Sequence, residues 1–274
     1  MALISLRFGC GPHFLAKTNV VQKDDQEKLG QWLGAAEARY LADMRVQEIT
    51  RALRALSSAY VERRERGTGQ RVHGALDTAG KRAAFALYYA PLHFIAVIEA
   101  VRALHGLDTA LNHITDLGCG TGAAGAAWAI AAESRPSVIG IDRHPWAVAE
   151  ARWTFSQLGL NGHATQGDVE RLPPARSSEG IVAAYTLNEL SDTARTRVEQ
   201  QLLERARKGA RLLIVEPLAR GVAPWWDGTA KRLIERGGRT DEWKMTIEVP
   251  SVVRLLGTAA GLNYRALRFQ TMFL

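Results

Sequence analysis

The stretch ITDLGCGTGAAG, residues 114–125, constrains the fold of this 274-residue chain more than any other feature. It ends an apolar run, places four glycines within eight residues and leads into an alanine-rich segment. Glycines directly after a strand allow a tight turn, and the helix that follows points its free N–H groups at a ligand. The stretch therefore predicts a strand, a glycine loop and a helix, which is a unit of an α/β sheet.

The region after Asn112 alternates short apolar runs with helical patterns, which is typical of a parallel sheet with crossover helices. The predicted strands are 113–117, 137–141, 163–166, 180–185, 210–215 and one within 264–274. The predicted helices lie near 123–133, 145–158, 192–207, 225–236 and 251–260. The fold class is thus a doubly wound, mostly parallel α/β sheet, and ligands of such sheets bind at the carboxyl ends of the strands.

Residues 1–80 are predicted to form an N-terminal helical extension to a domain of residues 81–274. Between Asp24 and Arg66 the chain is free of proline and carries apolar residues at helical spacings, which predicts two or more helices. The glycine-rich residues 67–80 predict a linker. The apolar and aromatic residues 81–104 predict a helix, a break at Pro91 and a second helix.

Charge and cysteine content limit the partners and the compartment. The net charge is +7, and residues 1–105 carry 15 Lys and Arg against 10 Asp and Glu, which makes an acidic partner such as nucleic acid plausible. The two cysteines, Cys10 and Cys119, are too few for a disulfide framework or a cysteine-rich metal site, so we expect a cytoplasmic protein without a metal. No apolar run approaches membrane-spanning length, so no membrane partner is expected.

The glycine loop satisfies two cofactor patterns. Gly120, Gly122 and Gly125 match the G-x-G-x-x-G pattern of dinucleotide-binding proteins. Read from Asp116, the loop is instead Asp-x-Gly-x-Gly-x-Gly, with Gly118 as its first glycine. A pyrophosphate would meet an uncompensated carboxylate there, whereas S-adenosylmethionine carries an ammonium and a sulfonium and has no phosphate. Asp116 therefore favours S-adenosylmethionine.

Two further acidic residues follow the next two predicted strands. Asp142 ends the second strand, where a carboxylate accepts hydrogen bonds from the ribose hydroxyls of an adenosine. Asp168 follows the third strand and is suited to the exocyclic amine of adenine, with the backbone N–H of Val169 donating to the ring. Three acidic loops in this order indicate an adenosine-containing cofactor.

The segments DLGCGTG (116–122), GID (140–142) and GD (167–168) resemble the cofactor half of class I S-adenosylmethionine-dependent methyltransferases over residues 113–216. The resemblance implies a seven-stranded Rossmann-like sheet, with the glycine loop around the methionine part, Asp142 on the ribose and Asp168 on the adenine. Only about 14 residues follow the last predicted helix. The closing hairpin of the family is therefore either shortened, or residues 244–249 supply a strand.

The fourth strand, GIVAAYTLNEL, places Tyr185, Asn188 and Glu189 beside the expected methyl group. Glu189 is the candidate general base and Asn188 the candidate for orienting an acceptor, unless Asn-Glu simply opens the next helix. The Asn/Asp-Pro-Pro-aromatic sequence of enzymes that methylate exocyclic base amines is absent, which disfavours adenine-N6 chemistry. Cys119 is interpreted as a packing residue.

A second resemblance rests on KRAAFALYYAPLH (81–93) together with DLGCGTG and YTLNEL. These segments are similar to a methyltransferase-like family associated with the small ribosomal subunit of bacteria and mitochondria. In that interpretation Tyr88, Tyr89 and His93 close over the cofactor or acceptor; otherwise they are core aromatics. The mitochondrial relatives carry extra cysteines for an iron-sulfur cluster, which this chain lacks, so the cluster is not inferred.

The leading hypothesis is an S-adenosylmethionine-dependent methyltransferase acting on RNA, most plausibly ribosomal RNA. One alternative is a small-molecule O- or N-methyltransferase, and another is a ribosome assembly factor that binds the cofactor without turnover. Trp225 and Trp226 either line the acceptor mouth or pack at its rim. Basic residues of the extension either bind phosphates or form a solvated helix face, and they are Arg51, Arg54, Arg63, Arg64, Arg66 and Arg71.

Overall fold

The computed structural model describes residues 13–18, 23–66, 74–104, 111–218, 223–262 and 266–274. The strands in these ranges are β1 (His13–Thr18), β2 (His113–Leu117), β3 (Ser137–Asp142), β4 (Gly162–Gln166), β5 (Glu179–Ala184), β6 (Arg211–Pro217), β7 (Arg239–Thr246) and β8 (Leu267–Phe273). The α-helices are α1 (Lys23–Leu41), α2 (Val46–Arg66), α3 (Ala79–Ala84), α4 (Ala90–Ala103), α5 (Ala123–Ala131), α6 (Pro145–Gln157), α7 (Asp192–Arg207), α8 (Trp226–Ile234) and α9 (Ser251–Ala260). A π-helical turn, Phe85–Tyr89, joins α3 to α4, and a 3-10 turn, Leu187–Glu189, follows β5.

The strands that the structure describes form one eight-stranded sheet in the order β1-β7-β8-β6-β5-β2-β3-β4. β8 is antiparallel to both β6 and β7, and every other neighbouring pair is parallel. The strand order reverses between β2 and β5, so the loops that follow these two strands meet at the carboxyl edge of the sheet. The predicted doubly wound, mostly parallel α/β fold is confirmed, and apart from the alternative strand at 244–249 the helices and strands predicted between 113 and 260 start and end within two residues of the observed bounds.

The two ends of the chain complete the sheet in ways that the sequence showed poorly. β7 covers 239–246 and overlaps the predicted 244–249 only in its last three residues. It pairs with β8 along seven residues, so the closing antiparallel pair is not shortened. In β7 the buried positions Asp241, Trp243 and Met245 alternate with polar ones, which hides the strand in the sequence. The backbone of β1, in the predicted helical extension, adds a parallel edge strand next to β7.

The predicted break at Pro91 is wrong, because residues 79–103 form one helical run. The N–H of Ala90 bonds to the carbonyl oxygen of Phe85, five residues earlier. Pro91, which has no N–H, then occupies the first turn of α4. Among the described residues this is the one helix long and apolar enough to cross a membrane, whereas the sequence predicts no apolar run of that length. However, 83% of its most apolar 18-residue segment is buried inside the protein. Its apolar surface therefore packs in the protein core.

Helices cover both faces of the sheet. Side chains of β2 and β3 alternate between two cores: Ile114 and Val138 join α4, α5, α6 and α9, whereas Leu117 and Ile141 join α7 and α8. Helices α1 and α2 belong to the first of these cores, and the ring of Trp32 lies 5.8 Å from that of Phe94. The two predicted helices of the extension are thus confirmed and pack on the sheet domain, while the boundary at residue 80 stays a prediction.

Candidate active site

The glycine loop after β2 is shaped by close contacts that leave no space for side chains. Gly118 has a φ of +66°, and a Cβ at this position would lie 2.5 Å from Cγ2 of Thr186. Gly122, at the N-terminus of α5, has a φ of +77°, and a Cβ there would lie 2.7 Å from Cε1 of Phe155. Both positions therefore require glycine for conformation and for space.

Asp116 lies beneath the loop and is 1% exposed. Its Oδ2 accepts a hydrogen bond of 2.8 Å from the N–H of Gly125 in α5. Burial, together with the charge of Asp142, raises the pKa of Asp116 to about 7, and the bond from Gly125 limits the increase. A buried carboxylate repels a phosphate and stabilises a cation, and it already accepts the N–H of Gly125, the third glycine of the dinucleotide pattern.

Asp142 and Asp168 follow β3 and β4 at the same edge of the sheet. Asp142 Oδ2 accepts from the N–H of Gly120 at 2.9 Å, and its Oδ1 accepts from the N–H of His144 at 2.8 Å. Asp168 accepts from Arg143 Nη2 at 2.6 Å and from the N–H of Glu170 at 2.9 Å. Burial opposes the ionisation of Asp168, but these hydrogen bonds outweigh it and lower its pKa. Asp142 therefore joins the loops after β2 and β3, and Asp168 is a fixed carboxylate.

Val169 continues the loop after β4, and its side chain is 5% exposed. The apolar side chain packs with Leu117 and Ile141 below the carboxyl edge. This packing fixes the main chain at the position where the sequence predicts contact with the adenine ring.

The loop after β5 begins in a strained conformation. Tyr185 is a non-glycine residue with a φ of +58°, and its N–H donates to the carbonyl oxygen of Val215 at 2.7 Å. The next residue, Thr186, donates from Oγ1 to the carbonyl oxygen of Leu117 at 2.9 Å. The imidazole of His93 stacks on the Tyr185 ring, with centroids 4.0 Å apart and an angle of 19° between the planes. The end of β5 is thus fixed both to β2 and to α4.

Asn188 and Glu189 lie in the 3-10 turn that follows, and α7 begins only at Asp192. Asn188 is 3% exposed, its N–H donates to Glu216 Oε1 at 3.1 Å, and its Oδ1 has no hydrogen-bond partner in the part of the chain that the structure describes. Glu189 is partly exposed. The two residues do not open α7, since Ser191 caps that helix. Their roles in orienting an acceptor and in proton transfer stay predictions.

Five partly exposed rings form a cluster that we name the aromatic face, and they are Tyr60, Phe85, Tyr89, His93 and Tyr185. Phe85 lies against the glycine loop, 3.5 Å from the position of a Cβ on Gly120. Tyr89 and His93, predicted at the site, thus lie beside it. Tyr88 is instead 1% exposed and packs on α9 near Gly257, so it is a core aromatic.

Three other sequence candidates are packing residues. Cys119 is 6% exposed, burial raises the pKa of its thiol well above its ordinary value, and its sulfur lies 2.8 Å from the position of a Cβ on Gly140. This confirms the packing role. Trp226 packs in the core formed with α7 and α8, and Trp225 stacks under the guanidinium of Arg195. Within the described ranges no group of three His, Cys, Asp or Glu side chains could hold a metal ion.

Sequence reasoning missed three residues that shape the site: Phe85, Thr186 and the fully buried Glu216. Only Phe85 had a signal, because it precedes Tyr89 and His93 at intervals of four residues on one helix face. Thr186 and Glu216 reach the site through contacts between strands that are remote in sequence.

These residues fit S-adenosylmethionine. Asp116 supplies the buried negative charge that a cation needs, the positive-φ glycines admit close approach of the backbone, and Asp142 and Asp168 are fixed acceptors for hydroxyl and amine groups. The fold and the site therefore define a domain that binds an adenosine-containing cation at the carboxyl edge of its sheet.

Comparison with known proteins supports this assignment. Residues 114–209 match a protein family described as a methyltransferase domain, and no curated protein matches the chain. An O-methyltransferase from neocarzinostatin biosynthesis, solved in complex with S-adenosylmethionine and 2-hydroxy-5-methyl naphthoic acid, is 17% identical with a TM-score of 0.52, covering 87% of this chain and 73% of that one. A SAM-dependent methyltransferase from Aquifex aeolicus is 20% identical with a TM-score of 0.44, covering 64% of this chain and 87% of that one.

A putative RNA methyltransferase from Pyrococcus horikoshii is 14% identical with a TM-score of 0.41, covering 67% of this chain and 82% of that one. Of these three likenesses, the one to the O-methyltransferase shows the fold alone, since the two chains are only 17% identical. The match shows a methyltransferase domain in residues 114–209, and the fold and the acidic glycine loop around it fit S-adenosylmethionine as the cofactor.

Proposed function

We propose that this methyltransferase acts on RNA, and that ribosomal RNA is its substrate. The observation that carries the proposal is the aromatic face beside the glycine loop of a chain with a net charge of +7. Proteins recognise unpaired RNA by stacking bases on aromatic side chains and by placing basic groups along the phosphates. Helix α2 carries both kinds of group, since Tyr60 belongs to the aromatic face and Arg51 is exposed. The resemblance of residues 81–93 to the ribosome-associated family favours ribosomal RNA.

The residues divide the work of methyl transfer between them. The bound cofactor supplies a methyl group activated by a positively charged sulfur. Asp116 holds a negative charge below the loop, Asp142 and Asp168 orient the adenosine part, and the aromatic face excludes water from the acceptor side. Alignment and exclusion of water contribute on the order of 7–11 kcal/mol to such reactions, whereas a general base adds about 10²–10⁴ in rate. Glu189 and Asn188 serve as base and orienting group only if they contact the acceptor.

A test incubates the protein with S-adenosylmethionine labelled in its methyl group and with total RNA, purified ribosomal RNA or intact small ribosomal subunits. We expect label in ribosomal RNA and a background level with Asp142→Ala. Label in no RNA sample, with cofactor binding intact by calorimetry, would contradict the proposal. Tight binding of NAD with none of S-adenosylmethionine would contradict the cofactor assignment itself.

A small aromatic molecule is the second candidate acceptor. The O-methyltransferase from neocarzinostatin biosynthesis is matched over 87% of this chain, which is more than residues 81–274 alone provide. The likeness therefore reaches into the N-terminal helices, where a small-molecule enzyme would carry a lid. Label appearing in a metabolite extract, and in none of the RNA samples, would favour this acceptor.

A further inference from the structure

The aromatic face is assembled from three separate parts of the chain. Phe85, Tyr89 and His93 recur every four residues and lie on one side of the helical run 79–103. Tyr60 comes from α2, and its ring lies 5.5 Å from that of Tyr89. Tyr185 comes from the end of β5 and stacks on His93. The π-helical turn 85–89 lies within this arrangement, and such turns are frequent at functional sites.

The position of this face relative to the cofactor loop is given by two contacts. Phe85 lies against Gly120 of the glycine loop, and its ring centroid is 5.9 Å from that of His93. Tyr185 follows β5, the direct neighbour of β2, which carries the loop. The rings therefore extend from the glycine loop to the end of the adjacent strand, which is where an acceptor must approach a methyl group bound at that loop.

The rings of the aromatic face are partly exposed, and for His93 this differs from most of its helix. In α4, eleven of fourteen residues are buried, but His93 is not among them. Tyr60, Phe85, Tyr89 and Tyr185 also keep part of their surface exposed. Aromatic rings are stabilised when other rings pack against their faces and edges. A planar ring placed against this face would complete that coverage.

His93 supplies a polar group within the face. It lies among the rings of Phe85, Tyr89 and Tyr185, and burial lowers its pKa to about 3, so the ring is neutral with one N–H donor and one nitrogen acceptor. No residue in the described ranges forms a hydrogen bond with these two nitrogens. The ring is therefore available to hydrogen-bond a polar edge, and its low basicity makes it unsuited to storing a proton.

We propose that the aromatic face receives one unpaired nucleobase of the RNA acceptor, and that His93 forms a hydrogen bond with the edge of that base. This inference rests on the proposed function. A base inside a duplex cannot reach such a face, so the target base must lie in a single-stranded region or leave its stack. The rings discriminate paired from unpaired RNA, and His93 contributes to the choice among bases.

The experiment measures binding of the full chain to three fluorescent oligonucleotides: a short single-stranded RNA, the same sequence as a duplex, and an abasic ribose-phosphate chain of equal length. We expect the single strand to bind most tightly. Tyr89→Leu and Tyr60→Leu should each weaken single-strand binding roughly tenfold, because one stacking contact is lost, and should leave duplex and abasic binding unchanged. Val61→Ala, an exposed neighbour of Tyr60 on α2, is the matched control and should bind as the wild type.

Variants of His93 separate hydrogen bonding from packing. His93→Gln retains a donor and an acceptor and should keep the preference among four single-stranded homopolymers, whereas His93→Leu should lose it. Affinity for S-adenosylhomocysteine, measured by calorimetry, should be the same in all ring variants and shows that the fold is intact. Unchanged single-strand binding in Tyr89→Leu and Tyr60→Leu, or equal losses on all three oligonucleotides, would overturn the inference.

The outcomes distinguish this inference from the proposed function. If the wild type methylates RNA and the ring variants bind and methylate it equally well, the proposed function stands and the nucleobase site is refuted. If the wild type methylates no RNA, the proposed function is refuted, and the nucleobase inference that rests on it is refuted as well. If a planar small molecule is methylated and Tyr89→Leu prevents it, the face binds an acceptor ring, but the assignment to a nucleobase is wrong.

Discussion

The loops after β2, β3 and β4, which we call the cofactor half, are held together differently from the loop after β5 and the aromatic face, which we propose as the acceptor half. In the cofactor half, Asp116 and Asp142 accept hydrogen bonds from backbone N–H groups within 22 residues in the sequence. In the acceptor half, Tyr185 is fixed by stacking on His93, a residue of a different helix about 90 residues earlier. A local motif can therefore specify the cofactor half, whereas the acceptor half depends on how the N-terminal helices pack. Substitutions in the cofactor half should therefore alter the affinity for S-adenosylmethionine, and substitutions in the aromatic face should not.

The largest effect is expected from Gly118→Ala. A Cβ at this positive-φ position meets Thr186 at 2.5 Å, so we expect a loss of about 2 kcal/mol or more in the free energy of unfolding and no measurable cofactor binding. The matched control is Gly159→Ala, which has a φ of +63° and open space around the added Cβ. It should cost about 1 kcal/mol from backbone strain and leave cofactor affinity unchanged. Equal effects of the two substitutions in calorimetry and thermal unfolding would show that the contact with Thr186 is unimportant.

The second largest effect, a loss of cofactor affinity, is expected from substitutions of Asp142. Asp142→Ala removes the predicted acceptor for ribose hydroxyls and the bonds to Gly120 and His144, and should weaken S-adenosylmethionine binding roughly 100-fold. Asp142→Asn retains one acceptor oxygen and should lose less. Asp43→Ala removes an exposed acid between α1 and α2 and controls for the change in net charge. If calorimetric titration gives Asp142→Ala the same affinity for S-adenosylmethionine as Asp43→Ala, the role of Asp142 in cofactor binding is contradicted.

A pH dependence should follow from Asp116. Its pKa is raised from 3.8 to about 7 in the folded protein, so the folded state holds a proton that the unfolded state has lost, and the contribution of Asp116 to stability declines as pH rises from about 4 to 7. A bound cation favours the carboxylate, so cofactor affinity should increase severalfold from about pH 6 to 8, with release of a proton on binding.

Calorimetry near neutral pH in buffers of different ionisation enthalpy measures that proton. The Asp116→Asn variant should bind S-adenosylmethionine weakly and without the pH dependence that Asp116 causes. Its free energy of unfolding should no longer decline because of this residue between about pH 4 and 7. Proton release that persists in Asp116→Asn would assign the titration to another residue.

The smallest effect is expected from Asp168→Asn. The side chain of Asp168 is 39% exposed and already paired with Arg143, so its loss should weaken cofactor binding only about threefold. Glu170→Gln removes a neighbouring acid that also faces Arg143 and should leave affinity unchanged. A loss as large as that of Asp142→Ala would mean that Asp168 contributes more to the cofactor half than its exposure suggests.

Much of the sheet and of the cofactor half could be predicted because their signals are local. The strand bounds at 113–117 and the helix bounds at 192–207 and 251–260 were predicted without error, since buried parallel strands and amphipathic helices leave clear apolar patterns. β7 was misplaced because its buried positions, Asp241, Trp243 and Met245, alternate with polar ones and so form no continuous apolar run. The break at Pro91 was predicted from a general property of proline, and the π-helical turn before it, which keeps the helical run continuous, has no sequence signature of its own.

The sequence by itself determined the fold class, the glycine loop and the order of the three acidic residues, because each depends on residues close together in the chain. Only the tertiary structure decided which aromatic residues lie together beside the glycine loop. Tyr88 and Tyr89 are adjacent in sequence, yet helical geometry directs Tyr88 into the core against α9 and Tyr89 into the aromatic face. The pairing of His93 with Tyr185 likewise exists only because α4 packs across the end of β5, and contacts between remote segments are not encoded in any local pattern.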